Sequence, residues 1–241
     1  MSSMASNKAS AKLLRAQWKE KLVMPLVLLG LVAVVTVLKP VFLTATNLLN
    51  VMRQISFIAV IALGTLGVLV IKGMDLSAGS VVGLTAVVFA SFSHPGEYPA
   101  AVSLVIGLGV GALVGLINGV MCAVCDIPPF ITTLSTMTAV RGFAMIFSGG
   151  KPIGNINESL IWIGTGKLLG IPVPIYIMLA VAVITHLLLT RMRIGRHIFA
   201  IGGNEHAAVL SGINVKLVTI FAYVYSGLMA SLSSILLTAR V

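Results

Sequence analysis

Charge is what this sequence lacks. Asp, Glu, Lys and Arg together make up 9% of it, against about 25% in an ordinary soluble domain. Too few charges remain to coat a water-facing surface, which excludes a freely soluble globule. Acidic residues are the scarcer sign, 6 against 16 Lys and Arg, for a formal net charge of +10. Buried acidic relays of the kind that couple ions to transport therefore have little to be built from; only Asp75 and Asp126 come close, both at the ends of apolar runs. Cysteine is limited to Cys122 and Cys125. This CxxC closes an apolar run with no second ligand pair after it, so it reads as a helix end, with a redox or zinc pair as the alternative. His94, His186, His197 and His206 are scattered without metal spacing. A G-x-x-x-x-G-K-[ST] phosphate loop is also missing, so nucleotide hydrolysis is not expected of this chain, nor is a cofactor.

Apolar length is abundant. Hydrophobic residues account for 58% of the 241. They gather in runs at 22–38, 55–71, 76–92, 100–125, 127–147, 171–190 and 213–237. Each is near the length a bilayer demands, so the expected architecture is all-α, a polytopic transmembrane bundle of about seven spans. Residues 1–21 form a basic tail and 22–241 one membrane domain. The first run is longer than the roughly 7–15 residues of a signal-peptide core, and no clear A-x-A site follows, so it is kept as an uncleaved helix. It covers about 25 Å, slightly short of the roughly 30 Å hydrocarbon core.

The cations orient the bundle. With the N-terminus inside and spans alternating, the inside holds Lys8, Lys12, Arg15, Lys19, Lys21, Lys72, Arg191, Arg193, Arg196 and Lys216. The outside holds Lys39, Arg53, Lys151 and Lys167. Ten against four agrees with positive-inside, and the clusters flank spans, so they point to membrane lipid and not to nucleic acid. The longest outside loop is 148–170, a Gly-, Asn- and Pro-rich cap.

Three stretches carry more than hydropathy. In the fourth run Ser103, Gly107, Gly111, Gly115 and Gly119 recur every four residues, a ridge of missing side chains along which another helix can approach closely. Ser226, Ala230 and Ser234 repeat the pattern more weakly in the last run. The fifth run opens with Pro128-Pro129, suited to a first helical turn. It then spreads Thr132, Thr133, Ser135, Thr136, Thr138 and Arg141 around the helix, which predicts protein or a wet path around it. Between the second and third runs, Lys72–Ser80 interrupts the apolar sequence. Asp75 there either caps the next helix in a tight inside turn, with Ser77 behind it, or belongs to a discontinuous helix whose backbone lines a route.

The segment 191–216 carries a further signal. Asn204 is a good N-cap, Glu205 sits in the first turn and Gly212 fits the position just past a helix end. A two-turn helix over 204–211 is expected, too short to stand without something to pack on.

Three patches in order give this chain a resemblance. They are Gly73-Met-Asp-Leu-Ser-Ala-Gly79; then Asn118-Gly119 with Ile127-Pro-Pro-Phe-Ile-Thr-Thr-Leu-Ser-Thr-Met-Thr138 and Arg141-Gly142; and then Gly195-Arg-His-Ile-Phe-Ala-Ile-Gly-Gly-Asn204 with Ser211-Gly-Ile-Asn214. Together they resemble the permease subunits of sugar-type ABC importers, the ribose, galactose and xylose transporters. The resemblance implies a multi-pass permease of the bacterial cytoplasmic membrane moving a ribose-like monosaccharide. Its implied partners are a second permease copy (homodimer or heterodimer), an ATP-binding subunit inside and a sugar-binding protein outside. Gly202, Gly203, Asn204, Glu205, His206, Ala207, Ala208 and Gly212 are similar to the loop that docks on the ATPase. His206 stands where the E-A-A-x-x-x-G pattern has Glu, and Glu205 is placed to supply the charge. Family members continue with further Gly-rich membrane segments, so a C-terminally truncated and non-functional copy is one expectation. Asp75, Ser77, Asn118, Thr132, Thr133, Thr136 and Arg141 are the candidate pathway residues, since a neutral sugar needs hydrogen-bonding groups. An ion-coupled secondary transporter or channel is the alternative function, and a membrane enzyme the other rival.

Overall fold

The computed structural model describes residues 23–240 as ten α-helices and one short β-ribbon; the basic tail 1–21 lies outside the described residues. The chain divides into two compact units at Met52. The described part of the first unit holds α1 (Val23–Leu38), a 3-10 turn (Pro40–Leu43) and the opening of α2 (Ala45–Val70). Thr44 Oγ1 accepts the Asn47 N–H at 3.4 Å and Asn47 Nδ2 donates to the Phe42 carbonyl at 2.7 Å. This capping geometry starts α2 ten residues ahead of the expected apolar run. Hydropathy marks only the apolar part of a helix, whereas the backbone ladder runs on through Asn47, Asn50, Arg53 and Gln54.

Residues 52–240 form the second unit. After α2 come α3 (Ala78–Ser91), α4 (Ala100–Ala123), α5 (Pro129–Ser148), α6 (Glu158–Thr165), α7 (Val173–Thr190), α8 (Arg193–Gly203), α9 (Glu205–Leu210) and α10 (Val215–Thr238). The strands β1 (Lys167–Leu168) and β2 (Ile171–Pro172) pair antiparallel between α6 and α7. Five helices (α2, α4, α5, α7 and α10) are long and apolar enough to cross a membrane, while α1 and α3 are shorter. Thus all seven expected runs are helical, but α3, at 14 residues, rises only about 21 Å against a core of roughly 30 Å.

The centre of the unit is α10, with Tyr223, Ala230, Ser226, Ser231, Ser234 and Leu236 fully buried. It lies along the glycine ridge of α4. A Cβ on Gly111 would overlap the Gly227 carbonyl and Ser231 Oγ; one on Gly115 would overlap the Tyr223 carbonyl; one on Gly119 would stand 2.8 Å from the Ile220 Cα. Gly107 meets side chains alone, Ile235 at 3.2 Å and Phe89 at 3.5 Å. Between two apolar helices in lipid the hydrophobic effect offers little, so close backbone approach and the dispersion it brings supply the attraction. The small-residue packing row expected on α10, Ser226, Ala230 and Ser234, is fully buried. The face against α4 is Ile220, Tyr223, Gly227 and Ser231. Ser226, Ala230 and Ser234 meet the 74–82 region: Ser226 bonds Asp75, Ala230 lies in a cluster with Ala78 and Val81 that also takes in Val114 of α4, and Ser234 Oγ donates to the Val82 carbonyl at 2.6 Å. Ser233 Oγ donates to the Phe57 carbonyl of α2 at 2.7 Å.

Two expected loops contain structure. The 148–170 segment leaves α5 through Gly149 and Gly150, both at positive φ. It then forms α6, capped by Asn157 accepting the Ser159 N–H at 3.1 Å, and the ribbon, which turns at Leu169 and Gly170. The 191–216 segment holds α8 as well as α9. Glycines 195, 202 and 203 masked α8 in the sequence, yet Gly195, Ile198 and Ile201 make a buried stripe at helical spacing while Arg193, Arg196 and Phe199 stay exposed.

Candidate functional site

The site is built on the interruption between α2 and α3. Helix α2 stops because Lys72 takes a left-handed conformation (φ 62°). The Lys72 N–H bonds the Leu69 carbonyl at 3.0 Å and the Gly73 N–H the Val68 carbonyl at 2.9 Å, the paired closing bonds of a Schellman motif. Residues 73–77 then run without regular structure before α3 begins. Unladdered backbone inside a bundle needs partners, and here other helices supply them. The Met74 carbonyl accepts the Tyr223 hydroxyl of α10 at 3.2 Å and lies 3.4 Å from Thr133 Oγ1 of α5. Asp75 Oδ1 accepts the Ser77 N–H (3.0 Å) and Ser77 Oγ (2.7 Å), and Oδ2 accepts Ser226 Oγ of α10 (2.7 Å). Ser77 Oγ in turn accepts Asn118 Nδ2 of α4 at 2.8 Å.

The break is therefore a seven-residue segment stitched to three helices, not a tight turn. Asp75 does not cap α3 directly: the N-cap is Ser77, whose own side chain caps nothing, and Asp75 ties Ser77 to α10. Four of the expected pathway residues, Asp75, Ser77, Asn118 and Thr133, meet here. Thr132 is buried beside Thr133, but its hydroxyl, like Asn118 Oδ1, has no hydrogen-bond partner among the described residues. Thr136 is half-buried and Arg141 exposed further along α5, outside the cluster. Thr133 also donates back to its own helix at Pro129 (2.8 Å), as threonines in apolar helices commonly do. Sequence reading missed Tyr223, Ser226 and the Met74 carbonyl. Tyr223 and Ser226 lie one turn apart on α10 and were readable as polar residues in a span, but nothing in the sequence shows which span they face.

Residues 47–241 match the family described as branched-chain amino acid transport system / permease component. The chain belongs to this permease family. It is 41% identical over 88% of its length to a ribose import permease protein of Haemophilus influenzae, of which it covers 67%. It is 38% identical to the ribose import permease protein of Bacillus subtilis, over 87% of this chain and 66% of that one. To the galactose/methyl galactoside import permease protein of Escherichia coli (strain K12) it is 37% identical, over 89% of this chain and 69% of the relative. It thus spans about two thirds of the length of each. No solved structure matches it.

The permease carries a second element next to the break. In α9, Asn204 accepts the Ala207 N–H at 3.1 Å. The helix ends at Gly212 (φ 79°), with the Gly212 N–H on Val209 and the Ile213 N–H on the Ala208 carbonyl. Only Ala208 is buried; Glu205, His206, Ala207 and Val209 are exposed, and Leu210 is 89% exposed. The pair α8–α9 rests through Ile198, Ile201 and Ala208 on Leu188, Leu189 and Val218, with Val70 and Ile71 at the edge of the same cluster. A cavity of about 620 Å³ opens between α9 and the break, with Lys72, Asp126, Glu205, Lys216 and Tyr223 on its wall.

Proposed function

We propose that this permease is the membrane subunit of an ATP-driven ABC importer that carries a ribose-like monosaccharide into the cell. Its relatives' names speak of ribose and galactose import. The observation that carries the reading further is α9: a capped, glycine-closed helix that turns one small residue inward and presents Ala207, Val209 and Leu210 outward. Apolar side chains exposed on so short a helix fit a surface that docks a partner. In this reading a separate ATP-binding subunit docks there and hydrolyses the nucleotide. A sugar-binding protein delivers substrate at the opposite face, a second permease copy completes the pore, and the chain sits in the cytoplasmic membrane with its basic N-terminus inside.

The mechanism is alternating access. Closure of the ATPase dimer displaces α8–α9, and the bundle opens toward the binding protein; each ligand shifts the equilibrium only by its difference in affinity for the two states. The hydrogen-bonding groups of Asn118, Thr132 and Thr133 suit a neutral polyol better than an ion. Asp75 holds the interruption in place.

The test is co-purification of the ATPase with the full-length permease, paired with uptake of radiolabelled ribose. Ala207→Asp is expected to abolish capture and uptake while leaving the permease folded, because that side chain is exposed. Ala208 is unsuitable, since a charge there enters the protein's own core. Ribose uptake driven by an ion gradient without ATPase would point instead to a secondary transporter and overturn the reading.

A further inference from the structure

We infer that Gly202 is a positioning residue through which motion of α8–α9 passes directly to the interrupted helix. This rests on the ATP-driven reading above and deepens it. The last residue of α2 before the break is Val70. A Cβ on Gly202 would overlap the Val70 carbonyl oxygen, so one Cα–H of Gly202 points at that oxygen. Here α8 touches the end of α2 backbone to backbone. Contact of this kind transmits displacement with little loss, because no side chain stands between the two elements to change rotamer and absorb it. Gly203, the next residue, has nothing within 4 Å of its Cβ position, so the helix does not need glycine there for the same reason.

Three residues beyond Val70, Gly73 is also confined, though less tightly: its Cβ position is 3.0 Å from both the Tyr223 hydroxyl and Val68. The chain from Gly202 to Val70, through the closing bonds at Lys72 and Gly73, to Met74 and Asp75 is thus continuous. It connects the α8–α9 pair to the Asp75 cluster through the C-terminal end of α2 alone. Ile198 and Ile201, packed with Val70 and Ile71, keep the two elements together beside the contact.

The experiment compares the wild-type permease, Gly202→Ala and Gly83→Ala, each reconstituted in proteoliposomes with its ATP-binding and sugar-binding subunits. Gly83 lies on α3 with open space around it. The readout is ribose moved per ATP hydrolysed. In the assembled complexes, ribose moved per ATP hydrolysed is expected to fall about tenfold or more in Gly202→Ala, within the range of ordinary energetic coupling. Gly83→Ala is expected to match wild type. An unchanged ratio in Gly202→Ala overturns the inference and leaves the import reading standing. Spin labels cover the case in which Gly202→Ala fails to fold. In a Cys122→Ser, Cys125→Ser background, labels at Lys72→Cys and Arg196→Cys are expected to keep their separation between nucleotide-free and ATP-bound states, while labels at Arg196→Cys and Phe143→Cys change theirs. The reverse pattern overturns the inference. A wild-type permease that captures no ATPase overturns the import reading, and the inference with it.

Discussion

The glycine ridge of α4 permits a clean test of what glycine does in this bundle. Gly111→Ala places a methyl where the Gly227 carbonyl oxygen and Ser231 Oγ already stand. Neither can yield alone: one is helix backbone, and the other bonds the carbonyls of Gly227 and Leu228 at 3.0 and 3.1 Å. The helices must move apart, and the contacts at Gly115 and Gly119 loosen with them. Overpacking of this kind costs about 1–3 kcal/mol. Gly109→Ala supplies the control, since its Cβ position has open space around it. Both substitutions gain the same helix propensity, about 1 kcal/mol, so the difference between them isolates the clash. At about 2–4 °C per kcal/mol for a chain of this size, Gly111→Ala should melt roughly 2–12 °C below Gly109→Ala. Detergent-solubilised protein followed by size exclusion after graded heating measures this. Gly107→Ala should fall near the control, because the flexible end of Ile235 can step aside. Equal melting of Gly111→Ala and Gly109→Ala would refute the claim that backbone proximity holds α4 to α10.

Two further substitutions address the break. Asp75→Ala removes the acceptor for Ser77 and Ser226, three hydrogen bonds in all, and should cost about 2–4 kcal/mol; Asp75→Asn keeps an oxygen for Ser77 and an amide able to donate to Ser226 Oγ, and should retain most of that stability, as thermal melting will show. Asn118→Ala loses one bond to Ser77 but also removes an oxygen that has no partner among the described residues, so a loss of only about 1 kcal/mol or less is expected. A much larger effect on ribose uptake than on melting would place Asn118 on the sugar route.

Some of the architecture was legible because membranes impose a one-dimensional rule. Spans must be apolar and long, and seven runs met that rule closely enough for each to be found as a helix. The Asn204 cap, the Gly212 stop and the two-turn helix between them were also legible, since capping is local chemistry. Helix α8 was not, because its glycines look like breaks until Gly195 is seen buried and Gly202 pressed against the Val70 carbonyl. The start of α2 was missed for the opposite reason: polar residues such as Arg53 belong to the helix without belonging to the apolar run.

The sequence by itself determined the membrane class, the ridge of small residues and the interruption at Asp75, all of which follow from composition, period and local propensity. Tertiary structure alone decided that the ridge meets the Tyr223–Gly227 face of α10, that Asp75 reaches Ser226 about 150 residues away, and that Gly202 is confined while Gly203 is free. These are distances between segments far apart in the chain. Periodicity says which side of a helix wants a neighbour, but only packing selects the neighbour.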